Sequence, residues 1–209
     1  MFITFEGLDF CGKSTQVNLL EKYLTGSGKQ VKIIREPGGT IISEKVRNIL
    51  LDKENEKMFI ETEILLFSAS RSQLVREVIK PFLKENYYII SDRFHDSTTA
   101  YQGFGRSISL DFVTAINSFA IGDAVPDITF FIDIPVAEAK KRKNLRNSEL
   151  DRIELSDSGF YEKVREGYLY LAEKENRIKI LDGLQTIDEI NRQIIDVIKK
   201  YEQKGMVRL

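Results

Sequence analysis

Residues 7–14 read Gly7-Leu8-Asp9-Phe10-Cys11-Gly12-Lys13-Ser14, a G-x-x-x-x-G-K-S pattern without a mismatch. The pattern constrains the fold because it works only where a strand turns into a helix. Both flanks are present: Phe2-Ile3-Thr4-Phe5 is β-prone, and Thr15 to Leu24 places Val17, Leu20 and Leu24 on one helical face. Glycines let backbone N–H groups turn inward and approach phosphate oxygens. The helix that follows aims its positive end at the same anion. Gly7, Leu8, Asp9, Phe10, Cys11, Gly12, Lys13, Ser14 and Thr15 are therefore the expected nucleotide cradle. In such a loop Lys13 reaches the β- and γ-phosphates and the Ser14 hydroxyl ligates Mg²⁺. Cys11 reads as small loop filler rather than a redox thiol.

Strands and helices alternate along the rest of the chain, which predicts an α/β fold: a five-stranded parallel sheet with helices on both faces. After the first strand, apolar runs mark strands at Val31–Ile34, Tyr87–Ser91, Ile128–Ile132 and Arg177–Leu181. Near-continuous apolar strands suit a sheet covered on both faces. Helical patterns run over Ser43–Leu51, Ile60–Leu83, Leu110–Phe119, Val136–Lys143, Asp157–Lys174 and Ile187–Tyr201, with a Gly-rich loop before the third of these. A polar stretch at Asn144–Glu149 reads as a mobile flap; Lys140, Lys141, Arg142, Lys143, Arg146 and Arg152 around it suggest a phosphate-facing lid at about 141–153. No second core follows, so residues 1–209 are expected to form a single domain. A formal net charge of −1 provides no basic field for nucleic acid. No run approaches the roughly 20 apolar residues that span a membrane. The first strand begins at the N-terminus, which leaves no room for a signal peptide and predicts a cytoplasmic address.

Ligands of open α/β sheets sit beyond the carboxyl ends of the strands. Here those ends carry Arg35-Glu36-Pro37-Gly38-Gly39, Asp92-Arg93-Phe94 and Asp133. Charges that end buried strands are costly unless something pairs with them, and several around one phosphate loop point to a second polar ligand. Asp92 and Asp133 each follow an apolar strand and suit the acidic partner of Mg²⁺; periodicity does not choose between them. Arg93, beside Asp92, can grip a phosphate bidentately.

These residues resemble the thymidylate kinase family. The likeness spans nearly the whole chain and rests on the phosphate loop with Asp9, on Arg35-Glu36-Pro37-Gly38-Gly39 and on Phe67-Ser68-Ala69-Ser70-Arg71. It continues through Asp92-Arg93-Phe94, Ser97-Thr98-Thr99-Ala100-Tyr101-Gln102-Gly103 and Glu149-Leu150-Asp151-Arg152-Ile153-Glu154. The resemblance implies phosphoryl transfer from ATP to dTMP, giving dTDP and ADP, in dTTP synthesis for DNA replication. It implies that Phe67 stacks on thymine while Arg71, one helical turn on, bonds its carbonyl edge. Tyr101 would pack against the deoxyribose, with Thr98 and Gln102 near the base. Arg93 would bind the acceptor phosphate, Asp9 and Glu36 would orient that phosphate or its metal shell, and Arg142 would lie against adenine. Ser14, Asp9 and Asp92 form the implied metal group. A homodimer packed through helices beside the sheet is also implied, and the Glu36–Pro37 bond is a candidate for cis.

Two positions depart from the family pattern. Phe10 stands where relatives carry Gly or Arg, so the loop supplies no guanidinium to the transferring phosphoryl group. The lid must then supply it, with Arg146 the first choice and Lys143 the second. Phe94 and His95 follow the Asp-Arg pair where the family varies. His95 is expected to start a helix rather than act as a base, because an anionic phosphate acceptor needs none. Competing functions are a kinase for another nucleoside monophosphate or a nucleoside, a non-catalytic nucleotide-binding module, and a scaffold using the Ile60–Leu83 helix.

Overall fold

The computed structural model describes residues 1–145, 150–203 and 205. Five parallel strands, β1 (Phe2–Glu6), β2 (Val31–Arg35), β3 (Tyr88–Asp92), β4 (Ile128–Asp133) and β5 (Ile178–Asp182), form one sheet in the order β2-β3-β1-β4-β5. The expected five-stranded parallel α/β architecture is therefore present. Because side chains alternate along a strand, Phe2 and Ile89 enter one core layer while Ile3, Phe5 and Ile90 enter the other. β1 is buried throughout and lies between β3 and β4. The chain winds to opposite sides of β1, which opens a crevice above its carboxyl end.

Helix α1 (Lys13–Gly26) leaves that end directly and buries Val17, Leu20 and Leu24. Then come α2 (Ile41–Leu51), capped by the Thr40 hydroxyl on Ser43 N–H, and α3 (Ile60–Leu74). The long helix expected over 60–83 continues through a π turn at Val75–Ile79 into α4 (Lys80–Lys84). In a straight helix Pro81 would crowd the carbonyl of Glu77, and the widened turn lies there. The remaining helices are α5 (His95–Thr98), α6 (Leu110–Ile121), α7 (Val136–Asn144), α8 (Ser158–Lys174) and α9 (Ile187–Gln203).

One expectation fails. The stretch before α6 is not a Gly-rich loop: α5 runs on into a π-helical segment, Thr99–Gly105. Its glycines serve close packing rather than turning. A Cβ on Gly105 would lie 2.6 Å from the Phe160 ring, and one on Gly167 of α8 would lie 2.9 Å from Ala100 Cα. The small residues let α8 press against the segment that carries Tyr101 and Gln102. α7 extends through Asn144, and positions 146–149 of the expected flap lie outside the described residues.

Beneath α5 lies a buried ionic cluster. Arg177 donates to both carboxylate oxygens of Asp96 at 2.7 Å, joining α5 to the start of β5, and Thr129 Oγ1 also donates to Asp96. His95 packs edge-on against Phe94. Burial, aided by Arg177 and Arg71 and opposed by Asp96, lowers its pKa from 6.5 to about 4. His95 is thus neutral at physiological pH and starts a helix, as expected. Between about pH 6.5 and 4 the unfolded chain binds a proton that the folded protein rejects, so this group's stabilisation is complete above pH 6.5 and is lost as pH falls through the window. Urea unfolding should accordingly show the native protein losing stability relative to a His95→Gln variant as pH drops from 6.5 to 4. A difference between the two that stays constant with pH would show that His95 titrates normally.

Candidate active site

The phosphate loop bridges β1 and α1 in a conformation set by its glycines. Gly7 has φ 138° and Gly12 φ 104°. A Cβ on Gly7 would meet the Ile132 carbonyl at 2.5 Å, so no larger residue fits there. Lys13 lies back over the loop, donating to the Leu8 carbonyl at 2.8 Å and the Gly7 carbonyl at 3.2 Å. Cys11 is buried in the core, and burial pushes its thiol pKa up, which leaves it an unreactive filler. Phe10 adopts φ 66°, a left-handed conformation unusual for a bulky residue. Its side chain is half-buried and lines the cavities on either side of the loop rather than turning wholly outward.

The two candidate acidic partners separate clearly. Ser14 Oγ donates to Asp92 Oδ2 at 2.7 Å. Asp133 is instead held by the Arg165 fork at 2.7 and 2.8 Å. A hydroxyl and a carboxylate side by side at a phosphate loop suit Mg²⁺, which takes one or two protein oxygens and completes its shell with phosphate and water. Among the described residues there is no group of three or more His, Cys, Asp or Glu able to hold a metal. Asp9 is turned away from this pair. Its Oδ1 accepts from Arg93 Nη2 at 2.5 Å, and its Oδ2 from Tyr101 at 3.2 Å and Tyr161 at 3.4 Å. Burial acts to raise the Asp9 pKa, but Arg93 and Lys13 outweigh it and hold the carboxyl below its ordinary value.

Arg93 has φ 69° immediately after β3. Its guanidinium also donates to the Gly7 carbonyl at 2.9 Å and to Tyr101 at 3.0 Å, and lies 4.9 Å over the Tyr101 ring. One side chain thus binds the end of β3 to the phosphate loop.

Beyond Arg93 opens a cavity of about 410 Å³. It brings together Asp9, Glu36, Phe67, Arg71, Asp92, Arg93, Thr98, Tyr101 and Gln102, residues that the sequence spreads over five segments. Arg71 is 1% exposed. Its Nε donates to Glu36 at 2.7 Å, Nη1 to Thr98 at 2.8 Å and Asn117 at 3.1 Å, and Nη2 to the Phe94 carbonyl at 3.2 Å. A guanidinium has five N–H donors, so one N–H of Nη2 has no acceptor among the described residues, and the side chain lines the cavity. Glu36, in a cis peptide bond to Pro37, is pushed by burial up to about pKa 7, against the lowering effect of Arg71. Gln102 is held by the buried Glu63 at 2.9 Å.

Several residues that shape this site carry no motif signal. Arg47 lines the cavity and donates to the Pro37 carbonyl at 2.7 Å. Asn117, on α6, braces Arg71. Glu63 binds Arg152 at 2.7 Å and Arg106 at 3.2 Å as well as Gln102. Glu6 ends β1 with no exposure at all; burial and then Asp96 push its carboxyl up to about 7, opposed by Arg93, Ser97 and Tyr168.

On the other side of the loop, a second cavity is lined by Gly12, Lys13, Ser14, Thr15, Arg142 and Leu145. Arg142 donates to Glu138 at 2.8 Å and to the Gly183 carbonyl at 3.0 Å, which fixes it between α7 and the β5–α9 turn. Lys143 donates to the Glu154 carbonyl. Arg146, the first choice for the lid cation, lies outside the described residues.

Comparison with known proteins agrees with this geometry. The family described as thymidylate kinase matches residues 5–194. The thymidylate kinase of Thermosipho africanus is 49% identical over 203 residues, covering 97% of this chain and 100% of its own. That of Kosmotoga olearia is 48% identical over 196 residues, covering 93% of each chain. The crystal structure of thymidylate kinase from Ehrlichia chaffeensis aligns with a TM-score of 0.77 at 35% identity, over 95% of this chain and 98% of that one. With a phosphate loop and this match along nearly its full length, the chain belongs to the thymidylate kinase family, whose activity is phosphorylation of dTMP to dTDP with ATP.

Proposed function

We propose that the two cavities flanking Phe10 divide the reaction. The side lined by Gly12, Thr15 and Arg142 takes ATP, and the cavity lined by Phe67, Arg71 and Arg93 takes dTMP. The observation that carries this reading is a buried, braced Arg71 at the cavity wall, with one Nη2 N–H that has no acceptor among the described residues. A fixed donor selects a base that presents a carbonyl. It leaves an amino group facing a donor, an unmatched arrangement costly in a buried site. Phe67, one turn earlier on α3, supplies the stacking face; Thr98 and Gln102 shape the base edge, and Tyr101 walls the sugar. Arg93 holds the acceptor phosphate, while Asp9 and Glu36 orient it.

Loop amides and Lys13 hold the donor phosphates. Ser14 and Asp92 would hold Mg²⁺, which supplies charge neutralisation on the phosphate oxygens. The chain's own contribution is alignment of the acceptor oxygen and preorganised positive charge. Phe10 brings no charge to that arrangement, so we assign the cation over the transferring group to Arg146. Consumption of ATP and dTMP fits a cytoplasmic address.

A homodimer completes the reading. Of the apolar residues on the long helix, Ile64, Leu74 and Val75 are buried in the monomer core, while Leu65 is 54% exposed. Ile42 and Ile49 on α2, and Phe112 and Phe119 on α6, are exposed beside it, and both helices pack against α3. Contiguous exposed apolar helices mark an association surface.

Three measurements test these assignments. An ADP-release assay with Mg-ATP and dTMP, dUMP, UMP, CMP, AMP or GMP should favour dTMP and reject CMP; equal turnover of CMP would refute the base-reading role of Arg71. Replacing Arg146 with Ala should lower kcat by about 10²–10⁴-fold with a far smaller change in dTMP affinity; an unchanged kcat removes Arg146 from the mechanism. In light-scattering or sedimentation runs, Phe119→Glu should convert a dimer into a folded monomer. A native protein that is already monomeric would contradict the proposed interface.

A further inference from the structure

Glu6 reaches none of the cavities around the phosphate loop, yet it touches what holds Arg93. Its Oε1 accepts from Phe94 N–H at 2.7 Å. Its Oε2 accepts from the Ser97 hydroxyl at 2.6 Å and from the Tyr168 hydroxyl at 2.9 Å. Arg93 Nη1 donates to both of those hydroxyls, at 3.3 Å and 3.1 Å.

The direction of these bonds matters. A guanidinium only donates, so each hydroxyl that accepts from Nη1 must place its own hydrogen elsewhere. Glu6 Oε2 is an acceptor within reach of both, and the two hydroxyls themselves lie 2.9 Å apart, so the carboxylate anchors the pair that Nη1 shares with the Gly7 carbonyl. The Tyr168 ring is fixed in turn by stacking on Phe131, with centroids 5.1 Å apart and planes inclined by 23°. The same carboxylate holds the backbone just after Arg93, where φ of 69° is a conformation that an L-residue keeps only when its surroundings impose it. Arg93 N–H on the Phe5 carbonyl at 2.9 Å holds the other side of that turn.

We propose that Glu6 is a positioning residue for phosphoryl transfer: it clamps the Nη1 edge of Arg93 through Tyr168 and Ser97, and the Asp92-Arg93-Phe94 turn through Phe94 N–H, so that the Nη2 edge faces Asp9 and the acceptor phosphate. The inference rests on the reading of Arg93 as the acceptor-phosphate ligand. It assigns a catalytic consequence to a residue buried beneath the site and remote from substrate.

Glu6→Gln is the discriminating change. It keeps the volume and the acceptor for Phe94 N–H, but it turns a donating amide toward two hydroxyls that already accept from Arg93. Steady-state kinetics should show the dTMP KM raised about 10- to 100-fold with a lower kcat, while the ATP KM stays within about twofold. Tyr168→Phe, which keeps the ring and removes only the hydroxyl, should show the same split in smaller degree, and it guards against a folding defect in the first variant. In the Arg93→Gln background, Glu6→Gln should cost little more, because the partner it positions is gone. Native dTMP kinetics in Glu6→Gln and Tyr168→Phe alongside a damaged Arg93→Gln enzyme would overturn the positioning role alone. An Arg93→Gln enzyme with native dTMP KM would overturn the underlying reading of Arg93 and the proposal with it. Equal loss for ATP and dTMP would reduce Glu6 to a structural residue and overturn the proposal as well.

Discussion

Arg71 and Arg93 place two permanent cations under the carboxyl edge of the sheet, and much of the site is the set of groups that make this tolerable. An unpaired buried charge costs several kcal/mol. Arg71 meets that cost with Glu36, Thr98, Asn117 and the Phe94 carbonyl, drawn from the turn after β2, α5, α6 and the turn after β3. Arg93 meets it with Asp9 and with the hydroxyls of Tyr101, Tyr168 and Ser97. Each guanidinium fixes the relative positions of elements distant in sequence. The same bonds that neutralise the charge also prevent the side chain from rotating, so recognition and folding draw on one network.

Glu63 performs the complementary task with a buried anion. It lies in the first turn of α3, 2% exposed, and binds Gln102, Arg106 and Arg152. Burial raises its pKa, and Arg106, Gln102 and Arg152 more than reverse the shift. Arg152 also donates to the Leu50 carbonyl at the end of α2. The segment around Arg152 is therefore fastened to α2 and α3, which border the cavity beyond Arg93. Asp151, Ile153 and Glu154 consequently form part of the cavity wall.

What the sequence disclosed, and what it withheld, follows from how far apart the cooperating atoms are. The phosphate loop is contiguous, and its glycine positions follow from backbone conformation, so it was readable directly. Phe67 and Arg71 were readable as one helical face. Strand identity followed from apolar runs. The choice between Asp92 and Asp133 was not readable, because it depends on Arg165 of α8 reaching Asp133 across a gap of 32 positions. The helical nature of 99–105 was hidden because Gly103 and Gly105 look like loop residues until α8 is packed against them. Asn117, Glu63 and Glu6 sit in ordinary helix and strand patterns; only three-dimensional proximity to an arginine or a glutamine gives them meaning. Arg47 was missed for the same reason, since its partner is a backbone carbonyl.

Phe10 shows how one residue bears on several parts of such a site. A left-handed φ costs a non-glycine residue on the order of 1–2 kcal/mol, and a glycine there would avoid it. The ring lines the cavity beyond Arg93, the one beside Arg142 and the one between α7 and α8. On the proposed reading an apolar wall at that junction would exclude water from the path of the phosphoryl group, but it contributes no charge to the transition state. Positive charge must then come from outside the loop's variable positions. Lys13 lies back on the Leu8 and Gly7 carbonyls of the loop, and Arg93 is bound on one edge by the Tyr168–Ser97–Glu6 group. Lys143 is engaged with the Glu154 carbonyl. On the proposed reading the remaining cation is Arg146, so its role and the preorganisation of Arg93 become coupled requirements of a phosphate loop that carries Phe10.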